Sequence, residues 1–303
     1  MRTAMKTQSL LSAAVASALV LSAGSASAQT DTLKKLRETG AITMGVRDGS
    51  GAMSFTTGPG KYTGFHVEIC ERVIADIRKS AQLDKLEVRY QLVTPQNRIP
   101  LVQNGTVDIE CGTTTNNAAR QKDVAFAPTL YVEGVRIAVK ANSPIKSTAQ
   151  LAGKTVAATT GSTSVQLLRK LKSDATELTA KDNSEGFLLL ETGRADAFVA
   201  DGQILATLIS KSKDPAQYKL LDQVLSTEPI AIMLPKGDTA FKKAVDQSIL
   251  TMAKSGEVAR IYDKWFLKPI PPQNAIVGLP ATEMTKAAWA NPTDKPMEEY
   301  EVR

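Results

Sequence analysis

The sequence predicts an α/β protein of two lobes, and three observations carry that expectation. Strand-like and helix-like patterns alternate from residue 41 onward. The alternation restarts at Ser143-Pro144 as a second, similar unit. Two extended segments without helical periodicity, Val132–Lys140 and Glu228–Pro235, flank that second unit. Repeated strand–helix–strand units of this length build lobes on mainly parallel sheets. The chain is expected to leave the first lobe near Tyr131, build the second and return near Pro229. The boundaries are a first lobe begun over 29–135, a second over 136–228, and the first completed over 229–303 with a C-terminal tail.

Residues 1–28 read as an export signal. Arg2 and Lys6 form a basic start, Leu10–Ala23 is a short alanine-rich apolar run, and Ala26-Ser27-Ala28 supplies a small-x-small cleavage pattern. The run contains serines and ends in a cleavage site, which disfavours a membrane-anchoring helix. No cysteine stands there to take a lipid. No second stretch approaches membrane-spanning length, so no membrane insertion of the mature chain is expected. A soluble protein in the periplasm follows.

The elements come in order. Ala41–Val46 is a first strand running into Arg47 and a Gly/Ser-rich loop. Beyond the Tyr62-Thr63-Gly64 turn, Ile69, Val73 and Ile77 share one helical face with Cys70 and Ile74 beside them. Leu86–Val93 alternates as a half-buried strand. A short helix Ile99–Gln103 ends at Asn104-Gly105, and strand Val107–Cys111 follows. In the second unit, strand Thr155–Thr160 leads through Gly161 into a helix ending at Leu171. A helix from Ser184 to Gly193 then precedes strand Ala195–Ala200. Phe241–Phe266 is helical and completes the first lobe. The polar residues Asp294–Arg303 are expected to fray.

Composition narrows the chemistry. The signal carries two of the 37 Lys+Arg and none of the 31 Asp+Glu, which leaves the mature chain at +4. The charges are scattered and aromatics are only 5%, so nucleic acid is not the partner. A mildly positive exported chain suits a small acidic ligand. His66 is the single histidine, which argues against Ser-His-Asp, Cys-His and histidine-rich metal sites. No cofactor is indicated. Cys70 and Cys111 fall on elements of the same lobe and can pair in an oxidising compartment, or remain two buried thiols.

The stretch QNRIPLVQNGTVDIECGTTTNNAARQ (96–121) resembles the glutamate/aspartate-binding branch of the periplasmic solute-binding proteins. So do TTGSTS (159–164), ETGRADAFVAD (191–201) and the SGEVARIYDKWF…PIPP ending (255–272). Several long motifs in the right order are far more specific than one glycine motif. The resemblance implies the type II periplasmic-binding fold: two α/β lobes, two hinge crossings and a ligand in the cleft. It also implies a partner, the permease of an ATP-driven importer to which the amino acid is handed, and a monomer is expected.

A free amino acid presents an α-carboxylate and an α-ammonium, and an acidic one adds a second carboxylate. Burying these charges requires a partner for each. By resemblance, Arg120 takes the α-carboxylate through its planar fork. Thr113 and Thr115, just after their strand, face the cleft with hydroxyls. Thr163 lies where a helix begins, a place that suits a carboxylate, although a plain N-cap role competes. Asp201 takes the α-ammonium. Arg47 and Arg98 hold the side-chain carboxylate, and Asn183 lies beside them. Two departures bear on specificity. Pro95 stands where the family can carry serine, and Asn183 where it can carry histidine. They leave open a receptor for a neutral amino acid such as glutamine or asparagine. A lyase or dehydratase on the same lobes is a further alternative, as is a sensor input domain. The nominated positions lack a histidine or carboxylate poised for chemistry, which favours binding.

Overall fold

The computed structural model describes residues 31–171 and 174–300, so the expected export signal lies outside the described residues. In chain order the elements are α1 (Thr32–Thr39), β1 (Ala41–Val46), β2 (Phe55–Gly58), β3 (Lys61–Thr63), α2 (Phe65–Ser80), β4 (Glu87–Leu92) and α3 (Arg98–Gln103). Next come β5 (Ile109–Thr115), β6 (Val124–Phe126), β7 (Tyr131–Glu133) and β8 (Val135–Lys140). The second unit adds β9 (Thr155–Thr159), α4 (Thr163–Lys170), β10 (Thr176–Ala180), α5 (Asn183–Glu191), β11 (Ala197–Asp201), α6 (Gly202–Lys211) and β12 (Tyr218–Leu220). The chain closes with β13 (Glu228–Pro235), α7 (Thr239–Lys254), α8 (Glu257–Phe266) and α9 (Glu283–Ala290).

Two mixed sheets form two lobes. The first runs β4-β1-β5-β13-β6, with β7 also paired to β13; the second runs β10-β9-β11-β8-β12. β1, β4 and β5 are parallel, as are β9, β10 and β11, while β13 and β8 run against their neighbours. The antiparallel strands are the ones that carry the chain between lobes. The extended segment expected over Val132–Lys140 is broken at Gly134 into β7 and β8, which belong to different sheets. A Cβ at Gly134 would lie 2.8 Å from the Ser226 carbonyl of the returning chain, so only glycine lets the two crossings run this close. β7 and β13 pair so that Glu133 stands opposite Glu228.

The first-lobe core takes the apolar face of α2, with Ile69, Val73 and Ile77 buried as the spacing requires, against α7, α8 and the sheet. Burying each such side chain contributes about 1.5–3 kcal/mol. Cys70 of α2 and Cys111 of β5 are joined by a disulfide with Cα atoms 6.4 Å apart. Closing a loop of 41 residues stabilises the fold by about 4 kcal/mol on chain-entropy grounds.

Two expectations fail. β5 extends to Thr115, four residues past the predicted end, because β13 pairs with it at Thr114 and Thr115, beyond the Ile109 and Glu110 that β1 reaches. Its β-branched Thr113-Thr114-Thr115 run fits such a central strand. Thr113 and Thr115 are therefore strand residues rather than members of a following loop. The polar C-terminal stretch does not fray through residue 300. Asn116 donates through Nδ2 to the Asp294 carbonyl at 2.7 Å and accepts at its own carbonyl from the Met297 amide at 2.9 Å. The unpredicted α9 docks on the first crossing, with Trp289 Nε1 donating to the Leu130 carbonyl at 2.7 Å.

Candidate functional site

The C-terminal ends of β1, β5 and β11 and the N-termini of α3, α4 and α5 face one another across the two lobes. Arg47 follows β1, and its backbone amide donates to Ser54 Oγ at 2.9 Å. Its guanidinium is fully buried, and neither terminal nitrogen has a hydrogen-bond partner. Arg98 begins α3 and donates to the Thr113 carbonyl at 2.9 Å, with its Nε left unpartnered. Arg120 donates to the Thr115 carbonyl at 2.9 Å and, across the cleft, to the Gly161 carbonyl at 3.3 Å. β5 therefore aims two guanidinium groups through its own carbonyls.

None of the ion pairs among the described residues includes Arg47, Arg98 or Arg120. Burial, and then the Arg98 charge, push Arg47 down to about 10 and Arg120 down to about 9. Burial lowers Arg98 as well. Three buried guanidinium groups lacking carboxylate partners are a poor way to hold a fold together and a good way to receive anions.

The opposing charge is Asp201, at the end of β11, whose side chain caps no backbone amide of α6 and enters no ion pair among the described residues. Burial first, then the nearby carboxylates of Glu228 and Glu133, push Asp201 up to about 8. Thr113 donates its hydroxyl to Ser50 Oγ at 3.2 Å. Thr115 and Thr163 both donate to Oε2 of Glu228, at 2.5 and 2.7 Å. The competition over the cap of α4 is resolved by Ser162, whose Oγ accepts from the Val165 amide at 3.2 Å, leaving Thr163 free to face the cleft. Asn183 spends its side chain on the protein: Nδ2 donates to the Gly49 carbonyl at 3.0 Å, and Oδ1 accepts from Thr159 at 2.9 Å.

Arg47, Arg98, Thr113, Thr115, Thr163, Asn183 and Asp201 line one cavity together with Pro95, Ser162, Ser164, Ala200 and Ile204. Arg120 is not on that wall but bridges its two sides. The cavity's volume is only about 20 Å³, so the cleft is shut and an amino acid enters only if the lobes part. Gly161 shows how tight the closure is. It sits at φ +79°, and a Cβ there would lie 2.8 Å from the backbone of Gln96 in the other lobe.

Several residues that the sequence did not nominate complete the site. Glu228 receives the two threonines. Glu110 accepts from Thr114 at 2.7 Å and attracts Arg47. His66 lies beneath the floor, with Nδ1–H donating to the Gly112 carbonyl at 2.6 Å; burial outweighs that bond and pushes it down to about 4. It is therefore a neutral structural ring. An acidic residue opening the apolar run EPIAIMLP was the one available signal for Glu228.

A two-lobed α/β protein with a shut, charged cleft is a hinged receptor for a small polar ligand. The comparisons agree: residues 42–268 match the bacterial extracellular solute-binding proteins, family 3, and the chain belongs to that family. The chain is 45% identical over 296 residues to the L-glutamate/L-aspartate-binding protein of Pseudomonas aeruginosa, covering 96% of this chain and 98% of the relative. It is 38% identical over 288 residues to the glutamate/aspartate import solute-binding protein of Escherichia coli, covering 92% and 95%. Among solved structures, an ancestral arginine-binding protein bound to glutamine matches with a TM-score of 0.69 and 27% identity. It covers 75% of this chain and 98% of its own. Among the described residues no helix is long and apolar enough to cross a membrane.

Proposed function

We propose that the chain is a periplasmic receptor that closes around L-glutamate or L-aspartate and delivers it, as a monomer, to the permease of an ATP-driven importer. The observation that carries this reading is the convergence of Arg47, Arg98 and Arg120, all buried and none in an ion pair, on a cleft that also contains Asp201. A dicarboxylic amino acid offers two carboxylates and one ammonium, and that set complements these groups. The names of the relatives support the same ligand class. Arg120 receives the α-carboxylate, Asp201 with Thr115 the ammonium, and Arg47 and Arg98 the side-chain carboxylate, with Thr113, Thr163 and Asn183 on the walls. The lobes at 29–135 with 229–303 and at 136–228 turn about the paired crossings at Gly134 and Ser226, and only a ligand touching both holds them shut.

The test is calorimetric titration of unfolded and refolded, ligand-free mature protein with L-glutamate, L-aspartate, L-glutamine and L-asparagine. Preference for the acids, lost in Arg98→Ala, is the expected result. Preference for an amide would overturn the acidic-ligand reading and leave the receptor, and no binding to any of the four would overturn both.

A further inference from the structure

Glu228 opens β13, the strand that returns the chain to the first lobe, and its carboxylate is buried. Its three hydrogen bonds come from three different places. Thr115 of the first lobe and Thr163 of the second share Oε2, at 2.5 and 2.7 Å, and Ser226 of the crossing donates to Oε1 at 3.0 Å. None of the ion pairs among the described residues includes Glu228.

A carboxylate has lone pairs and nothing to donate. A hydroxyl has one proton, so a threonine that gives it to Glu228 turns only acceptor oxygen toward the cavity. Thr115 and Thr163 both line that cavity, as does Asp201. We propose that Glu228 is a positioning residue for ligand recognition: by taking both hydroxyl protons it fixes Thr115 and Thr163 as acceptors and, with Asp201, shapes a subsite for a primary ammonium. The inference rests on the amino-acid reading above and extends it to a residue of the hinge. The same polarity turns Thr163 away from a carboxylate, although the start of a helix would otherwise suit one. It also ties recognition to closure, because the two threonines come from opposite lobes and meet at Glu228 only when the cleft is shut. The field at Asp201 agrees. After burial, Glu228 is the largest cause raising its carboxyl. A cation placed among the acceptors relieves both acids at once.

The experiment compares L-glutamate with glutarate, which keeps both carboxylates and lacks the ammonium, by calorimetry on the full mature protein. In Glu228→Gln an amide nitrogen in the Oε2 position would donate to Thr115 and Thr163 and reverse both hydroxyls. A charge-assisted contact of this kind corresponds to a roughly 10- to 100-fold change in affinity. L-glutamate is expected to weaken by that factor and glutarate by less than about threefold, so that the discrimination between the two narrows. Thr163→Val, which removes a hydroxyl at nearly constant volume, keeps the test alive if Glu228→Gln fails to fold, and the same selective loss is expected. Equal weakening of both ligands, or no selective loss of L-glutamate in Thr163→Val, would overturn the inference. A wild type that binds L-glutamine and not L-glutamate would overturn the ligand assignment instead. The role of Glu228 would then be decided by the same comparison between L-glutamine and its desamino analogue.

Discussion

Replacing Arg47 by methionine is expected to stabilise the shut form of the ligand-free protein against the open one while removing the preference for an acidic ligand. Arg47 is buried with both terminal nitrogens unpartnered, and burial followed by the Arg98 charge push it well below the ordinary guanidinium range, down to about 10. At about 1.4 kcal/mol per pKa unit, holding that charge costs the shut form about 3 kcal/mol. The attraction of Glu110 already enters that figure. The sign is fixed at ordinary pH. Below about 10 the guanidinium is charged in both the folded and the unfolded chain, so the whole cost is present at pH 7 and is relieved only as pH rises through 10. Methionine keeps most of the aliphatic stem, and allowing about 1 kcal/mol for lost packing leaves a gain of about 2 kcal/mol. Small-angle scattering of refolded, ligand-free protein measures this, as a shift of the variant toward the smaller radius of gyration of the shut form. Added L-glutamate at about a thousand times its Kd should stabilise the wild type by about 4 kcal/mol and the variant far less. A variant no more closed than the wild type without ligand, or one that keeps the wild-type ratio of glutamate to glutamine affinity, would refute the argument.

Two further outcomes follow from the same site. Asp201 is pushed up to about 8, so its neutral form stabilises the ligand-free fold fully below about 3.8, and that contribution is lost as pH rises through 8. An arriving ammonium favours the ionised carboxyl, so binding near pH 7 should release a proton. Titrations in buffers of different ionisation enthalpy should show that release at pH 7 and none in Asp201→Asn. Gly161→Ala places a methyl against the Gln96 backbone only when the lobes are shut, and its φ of +79° adds about 1 kcal/mol of strain. Affinity should fall at least tenfold, and small-angle scattering with saturating ligand should show a larger radius of gyration than the wild type.

The sequence carried the two-lobe plan because its strands and helices are strongly patterned. The α2 face and the alternation in LEVRYQLV needed no tertiary information. The nominated residues that share a cavity were found through long motifs, not periodicity: an arginine after a strand looks the same whether it meets solvent or a cleft. What stayed hidden depends on pairing between distant segments. The length of β5 is decided by β13, more than a hundred residues later, and the order of the C-terminal stretch by Asn116. The importance of Glu228 is decided by Thr115 and Thr163, which come close only through the hinge. The ambiguity at the start of α4 turned on which of two adjacent hydroxyls caps the helix. Both have the right chemistry, and only the direction of each side chain assigns Ser162 to the cap and Thr163 to the cleft.

Closure and specificity share one physical source in this cleft. The shut form is joined across the lobes by hydrogen bonds to backbone carbonyls, Asn183 to Gly49 and Arg120 to Gly161, and by the two threonines on Glu228. These contacts leave Arg47 and part of Arg98 with donors that nothing accepts. Removing water from such donors costs on the order of 1–3 kcal/mol each, more when they are charged. An open cleft lets water serve them, whereas a shut cleft without a suitable ligand does not. A ligand with a carboxylate at each end supplies the missing acceptors and so stabilises the shut form more than the open one. One with an amide supplies fewer and closes the lobes less completely. Selection among amino acids is therefore read out as the degree of closure, the property a transporter would sense.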